Sequence, residues 1–268
     1  MELATQPLNK RQDAYYWRLL ATALCFALFG LGGLCLRLFY FPLLRCLPGN
    51  AILKRDQARR TISRLFWFFI RCMARSGVLT YTIEGAERLG RPGQMIIANH
   101  PSLIDVVFLI GLVRDANCVV KHSLWQNPFT CGPVRSTAYI SNDGSAEMLD
   151  MAADALHEGQ TLIVFPEGTR TQPGCAPEFH RGAAAIALRG ASVITPVVIQ
   201  VCPTTLTKAE PWYRIPFKRV HFSLRVGADI EPHTFAELGP APIASRKLND
   251  HLHHYFIREL ALDERSTP

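Results

Sequence analysis

Acidic residues are nearly missing from the first 80 positions of this 268-residue chain. Glu2, Asp13 and Asp56 stand there against 12 Lys/Arg, whereas residues 81–268 hold 19 acidic and 17 basic side chains. The net charge of +7 therefore belongs to the N-terminal segment. The slightly acidic remainder offers no broad basic surface to a polyanion. That argues against nucleic acid as the main partner and for an anionic membrane surface near the N-terminus. Charge of either sign is scarce overall, 19% of residues, against roughly 25% in an average soluble domain. Paired cysteines are missing too. The eight Cys fall at 25, 35, 46, 72, 118, 131, 175 and 202, and no two form a C-x-x-C pair. This spacing argues against a zinc site and for reduced thiols on a body that faces a reducing compartment. Internal repeats and low-complexity tracts are absent as well.

What the N-terminal segment has instead is a long apolar run. Residues 19–36 carry no charge, close to the roughly 20 residues that cross a bilayer core. Tyr15, Tyr16 and Trp17 precede the run and Phe39, Tyr40 and Phe41 follow it, an aromatic pattern suited to the lipid–water boundary. Pro42 and Pro48-Gly49-Asn50 are expected to end the segment. A helix then carries Arg60, Arg64, Arg71 and Arg75 within roughly 60° of one another. Ile62, Leu65, Phe66, Phe69 and Met73 fall on its opposite side. Lys54, Arg55, Arg59 and Arg60 add to the basic cluster, which under the positive-inside bias sets the rest of the chain on the cytoplasmic side, at an inner membrane. Residues 1–78 thus read as a membrane-anchoring helical module, and 79–268 as the folded body.

In that body short apolar runs alternate with helical patterns. Strands are expected at 79–83, 94–98, 117–120, 137–141, 161–165, 193–201 and 220–226. Helices are expected at 101–113, 145–158, 181–189 and 245–262, with Ser145 as an N-cap and the end of the chain fraying from Asp263. The alternation predicts an α/β domain with a mainly parallel sheet flanked by helices.

Two segments carry chemistry. Asn99-His100-Pro101-Ser102-Leu103-Ile104-Asp105 places a histidine at a strand-to-helix turn, where sheets of this class bind ligands. His100 lies outside the helix, so its ring is free to turn toward Asp105. A carboxylate on Nδ1 fixes the tautomer and leaves Nε2 as a base able to activate a hydroxyl. The second segment, Phe165-Pro166-Glu167-Gly168-Thr169-Arg170, follows a buried strand. Pro166 ends ladder pairing, Gly168 permits a tight turn, and Arg170 can hold a phosphate bidentately.

Together, and with this separation, the two segments resemble the signature of the glycerolipid acyltransferases, the family of lysophosphatidate acyltransferase. Phe179-His180-Arg181-Gly182-Ala183 and the Pro-containing strand around Pro196 are similar to further family segments, so the likeness covers roughly residues 80–202. The resemblance implies a catalytic dyad of His100 and Asp105. It implies an acceptor site lined by Glu167, Gly168, Thr169, Arg170 and Arg181. The implied reaction moves a fatty acyl group from acyl-CoA or acyl-ACP to the hydroxyl of a lysophospholipid, foremost 1-acylglycerol-3-phosphate. Membrane lipids and the acyl carrier are the implied partners. No metal and no bound cofactor is implied, since coenzyme A or acyl carrier protein enters as co-substrate. One position departs from the family: Asn142 stands where a strand-end Arg is usual, and a neutral amide does not replace a guanidinium at a phosphate. An acceptor without a phosphomonoester, such as an amino-acid lipid, is therefore the alternative. A non-catalytic membrane scaffold is the remaining one.

Overall fold

The apolar runs after residue 78 become one seven-stranded sheet, in a computed structural model that describes residues 14–127 and 130–266. The strands are β1 (Leu79–Glu84), β2 (Gln94–Ala98), β3 (Asn117–Lys121), β4 (Ile140–Asn142), β5 (Leu162–Val164), β6 (Val193–Cys202) and β7 (Val220–Val226). Across the sheet they run β1-β7-β6-β2-β5-β3-β4. Every neighbouring pair is parallel except β6–β7, which is antiparallel. The central β2 and β5 are buried along their whole length, which is why they read as unbroken apolar runs. β7 alternates instead, burying Val220, Phe222, Leu224 and Val226.

Nine helices complete the described chain: α1 (Tyr15–Cys35), α2 (Phe41–Cys46), α3 (Ala51–Arg75), α4 (Asp105–Leu112), α5 (Cys131–Ser136), α6 (Ala146–His157), α7 (Gly182–Gly190), α8 (His233–Ala236) and α9 (Ala241–Ser266). One core packs α1, α3 and α4 against one face of the sheet. A second packs α6, α7 and α9 against the other. Ser145 caps α6, its Oγ accepting the Met148 N–H at 3.1 Å.

Several boundaries differ from the sequence reading. Residues 101–104 form a turn and α4 starts only at Asp105, because the Asp105 carboxylate folds back onto the preceding backbone. The strand expected at 137–141 shrinks to β4, since Thr137 and Ala138 close the short helix α5, and Ala138 has φ 51°. Pro42 does not end the N-terminal helix. A π turn over Leu36–Tyr40 precedes α2 and places Pro42 in its first turn, where a missing N–H is tolerated. The backbone of α9 stays helical to Ser266, past the Asp263 at which fraying was expected; Thr267 and Pro268 lie outside the described residues.

α1 runs antiparallel to α3. Trp17 Nε1 donates to Ser76 O (2.9 Å), Phe26 meets Phe69, Phe29 meets Phe66, and Tyr40 Oη shares a 2.6 Å hydrogen bond with Thr61. On α3, Arg60, Arg64, Arg71 and Arg75 are exposed while Ile62, Phe69 and Met73 are buried. Leu65 lies on the exposed side. Arg59 leaves the basic cluster and turns inward. It donates to Thr137 O (2.8 Å), Gln160 Oε1 (2.8 Å) and Ala138 O (3.4 Å), and burial lowers its pKa to about 10.

Candidate active site

The site is assembled at the C-terminal ends of β2, β5 and β6. Asn99, the residue after β2, spends its amide on the neighbouring strand. Its Nδ2 donates to Ile199 O (2.8 Å) and its Oδ1 accepts the Ile199 N–H (2.7 Å). Two bonds from a buried side chain fix the point at which His100 leaves the sheet.

His100 Nδ1 lies 3.0 Å from Asp105 Oδ2, and the same oxygen accepts the Ser102 N–H at 2.6 Å. Asp105 is fully buried, and its Oδ1 has no hydrogen-bond partner. Burial raises its pKa, opposed by the His100 hydrogen bond and, more weakly, by the Arg170 charge. On its other side the imidazole stacks on Phe165, with centroids 4.4 Å apart and planes inclined by 29°. Carboxylate and ring together hold the imidazole in one orientation, with Nδ1 occupied and Nε2 left for chemistry.

Glu167 ties the two motifs together. Its Oε1 accepts the His100 backbone N–H (2.8 Å) and its Oε2 accepts from Thr171 Oγ1, while Thr171 N–H donates to His100 O (3.0 Å). Burial, reinforced by the Asp105 charge, raises Glu167 to about 7 against the His100 backbone bond. Its carboxylate is thus turned inward as a clamp between two turns. Gly168 and Thr169 are exposed on the turn itself. Gly168 has φ 63°, and a Cβ added there would meet the His180 ring at 3.5 Å and Asn142 Nδ2 at 3.8 Å. Arg170 Nη1 donates to Leu206 O (2.8 Å) and Thr207 O (2.9 Å). Arg181 is exposed at the N-cap of α7, one residue from His180.

The sequence reading brought His100, Asp105, Glu167 and Arg170 forward, and the fold gathers them around one turn pair. It gave no role of their own to Phe165 and His180, though both stand in the motifs, and it left out Thr171. Thr171 carried a usable signal, four residues beyond Glu167 and adjoining the motif. His180 stood in the Phe179–Ala183 segment without a role of its own, because its place beside Gly168 depends on the return of the chain before α7. Among the described residues no group of three or more His, Cys, Asp or Glu is placed to hold a metal. A cleft of about 350 Å³ opens beside the turns, lined by Asn99, Pro101, Glu167, Thr171, Gln200 and Thr207 among others.

The acyltransferase family model matches residues 80–200, a span that contains every residue of this site down to Arg181. The chain is 29% identical over 172 residues to the 1-acyl-sn-glycerol-3-phosphate acyltransferase of Saccharomyces cerevisiae, covering 60% of this chain and 54% of that protein. It is 28% identical over 157 residues to the lyso-ornithine lipid O-acyltransferase of Pseudomonas aeruginosa, covering 57% of each. The chain spans about half the length of the curated relatives it matches. The crystal structure of the 1-acyl-sn-glycerophosphate acyltransferase from Thermotoga maritima shares the fold, with a TM-score of 0.71 at 20% identity over 94% of this chain and 98% of that one.

Proposed function

We propose that this chain, which belongs to the glycerolipid acyltransferase family, transfers a fatty acyl group from an acyl thioester to a lysophospholipid hydroxyl at a membrane surface. The observation that carries the reading is the 3.0 Å contact between His100 Nδ1 and a fully buried Asp105. With Nδ1–H held by the carboxylate, Nε2 takes the proton of the acceptor hydroxyl as its oxygen attacks the thioester carbonyl. The tetrahedral oxyanion collapses, the carbon–sulfur bond breaks, and the imidazolium returns the proton to the departing thiolate. Acyl-CoA or acyl-ACP supplies the donor. The exposed apolar side chains of α1 and α2 provide the membrane contact, with the body on the cytoplasmic side of an inner membrane.

The first acceptor to test is 1-acylglycerol-3-phosphate. A second reading is favoured by Asn142, whose amide rather than a guanidinium lies beside Gly168. Arg170 Nη1, meanwhile, is spent on two carbonyls. An acceptor without a phosphomonoester, an amino-acid lysolipid among them, suits such a turn better.

The test is acyl transfer by purified protein in vesicles, with acyl-CoA and acyl-ACP donors and a panel of phosphate-bearing and zwitterionic lysolipids. His100→Ala is expected to lower the rate by about 10²–10⁴ with the fold retained. Transfer that survives this substitution removes the dyad. Sole use of 1-acylglycerol-3-phosphate removes the second reading.

A further inference from the structure

The segment 203–219 between β6 and β7 has no place in the reaction just described, yet it touches both the site and α1. It enters over the active site. Ser102 Oγ donates to Thr205 O (3.0 Å), Leu103 N–H to Leu206 O (3.1 Å), and Arg170 Nη1 to the Leu206 and Thr207 carbonyls. It then runs out along α1. Buried Arg18 donates to the carbonyls of Pro216 (3.0 Å), Phe217 and Lys218 (3.3 Å). Phe26 faces Trp212 with centroids 6.0 Å apart, and Tyr15 faces Phe217 at 5.5 Å. What the segment presents outward is unusual for a soluble loop. Trp212 (42%), Tyr213 (60%) and Phe217 (52%) are exposed, interleaved with exposed Arg214, Lys218 and Arg219. The one acidic residue from 208 to 219, Glu210, is turned back onto Thr207, whose N–H and Oγ1 donate to it.

Taken with the membrane reading of α1 and α2, on which this rests, we propose that 208–219 is a second bilayer contact that seats on anionic lipid. Its seating holds the Arg170 turn at the lipid boundary. Three observations converge on that occupant. The loop is continuous with the exposed apolar face of α1, beside the aromatic Tyr15, Tyr16 and Trp17. Its aromatic rings are amphipathic, as at the headgroup level of a bilayer. Its cations complement an anionic surface, where each basic residue favours contact by about fivefold. The carbonyls of 205–207 then transmit the seating to Ser102, Leu103 and Arg170, because a loop pinned at its far end has less freedom to lift from them.

The experiment uses the full chain in vesicles. Tryptophan emission is read with brominated phosphatidylcholine and with aqueous iodide, for wild type, Trp212→Phe and Trp17→Phe. The emission lost in Trp212→Phe is expected to be the part quenched by bromine and shielded from iodide. If it is quenched by iodide alone while the Trp17 part is quenched by bromine, the loop is not a bilayer contact, although α1 is. If neither part responds to bromine, the membrane reading falls and this proposal with it. Turnover gives a second measurement. Wild type is expected to run at least severalfold faster on phosphatidylcholine vesicles containing phosphatidylglycerol than on phosphatidylcholine alone, and to lose the difference in high salt. Arg214→Glu/Lys218→Glu/Arg219→Glu is expected to lose the preference by raising KM for the embedded acceptor. Its rate on a monomeric short-chain lysolipid should stay at the wild-type level, which also shows that the variant is folded. An undiminished preference in the triple variant overturns the proposal.

Discussion

At the residue scale the site is a set of groups that each bear a cost for their position. Asp105 is buried with one oxygen unpartnered, and its raised pKa means that the fold disfavours its charge. Asp105→Asn removes that charge while its amide oxygen can still accept the Ser102 N–H. The same oxygen faces Nδ1–H, so the tautomer is kept, but no charge remains to stabilise the imidazolium and the base is weakened. The expected result is a kcat lower by about 10²–10⁴ together with an unchanged or higher unfolding temperature. A joint loss of activity and stability would instead mark Asp105 as a structural anchor. Glu167 gives a pH signature. Its pKa rises from 4.5 to about 7, so the fold binds the proton more tightly than the unfolded chain does. That stabilisation is complete below about pH 4.5 and is lost as pH rises through 7. Glu167→Gln has no such proton to lose. Between these limits wild type is expected to lose on the order of 3 kcal/mol that the variant keeps, read from unfolding midpoints across the pH range. Parallel pH profiles would place the titration elsewhere. The His100–Asp105 contact was legible in the sequence because the two residues lie only five positions apart. The Glu167 clamp and the Arg170 carbonyl bonds were not. Their partners come from His100 and from Leu206 and Thr207, which only the sheet brings near.

At the element scale, hydropathy revealed all seven strands, the buried β2 and β5 as unbroken apolar runs and β7 by its alternation. Boundaries were less legible. Pro101 is as good a first helical residue as any, so the local bond from Ser102 N–H to the Asp105 carboxylate, which keeps 101–104 out of α4, is hard to foresee from sequence. The turn also persists because Ser102 and Leu103 are bound by Thr205 and Leu206, a contact remote in sequence. The antiparallel entry of β7 beside β6 was likewise invisible to periodicity. Arg59 shows how an element's apparent surface can mislead. Its position in a run of Lys and Arg suggests solvent, but α3 turns it into the seam with α5 and residue 160. It is a buried polar tie between α3 and the body, beside the more exposed Arg55–Glu158 and Arg60–Asp115 pairs. Arg59→Met leaves Thr137 O without its side-chain donor, whereas Gln160 Oε1 keeps the Asn117 amide at 3.1 Å. A loss of about 2 kcal/mol is expected, with Arg59→Lys recovering part of it, measured as thermal unfolding in detergent. Equal stability of Met and wild type would show that the charge is only tolerated there.

At the scale of the whole molecule, α1 poses a choice that its length alone cannot make. Residues Tyr15–Cys46 form a helix long and apolar enough to cross a bilayer. Yet α1 lies against α3 from Trp17, which bonds Ser76, to the Tyr40–Thr61 contact after its end. α3 in turn is packed on the sheet through Ile62, Ile70 and Met73. Standing α1 upright in lipid would carry exposed Arg60, Arg64 and Arg71 to bilayer depth, at about 2.5–3.5 kcal/mol for each one near the midplane. Arg60 would take its partner Asp115 with it (2.9 Å), whereas Arg64 and Arg71 have no ion pair among the described residues to offset the cost. Lying in the interface costs none of it: Leu20, Leu24, Leu28 and Leu31 face the acyl chains while Arg18, Ala21, Thr22 and Cys25 stay against the body. Under the proposed membrane reading, the in-plane arrangement would set the His100 and Glu167 turns near the headgroups. An epitope placed before residue 14 is therefore expected on the same side of a sealed vesicle as the body. Impermeant maleimide would then reach that epitope's cysteine and the exposed Cys175 and Cys202 together, or none of them. Labelling of one group with protection of the other would mean that α1 crosses, and that the α1–α3 pairing is broken in the membrane.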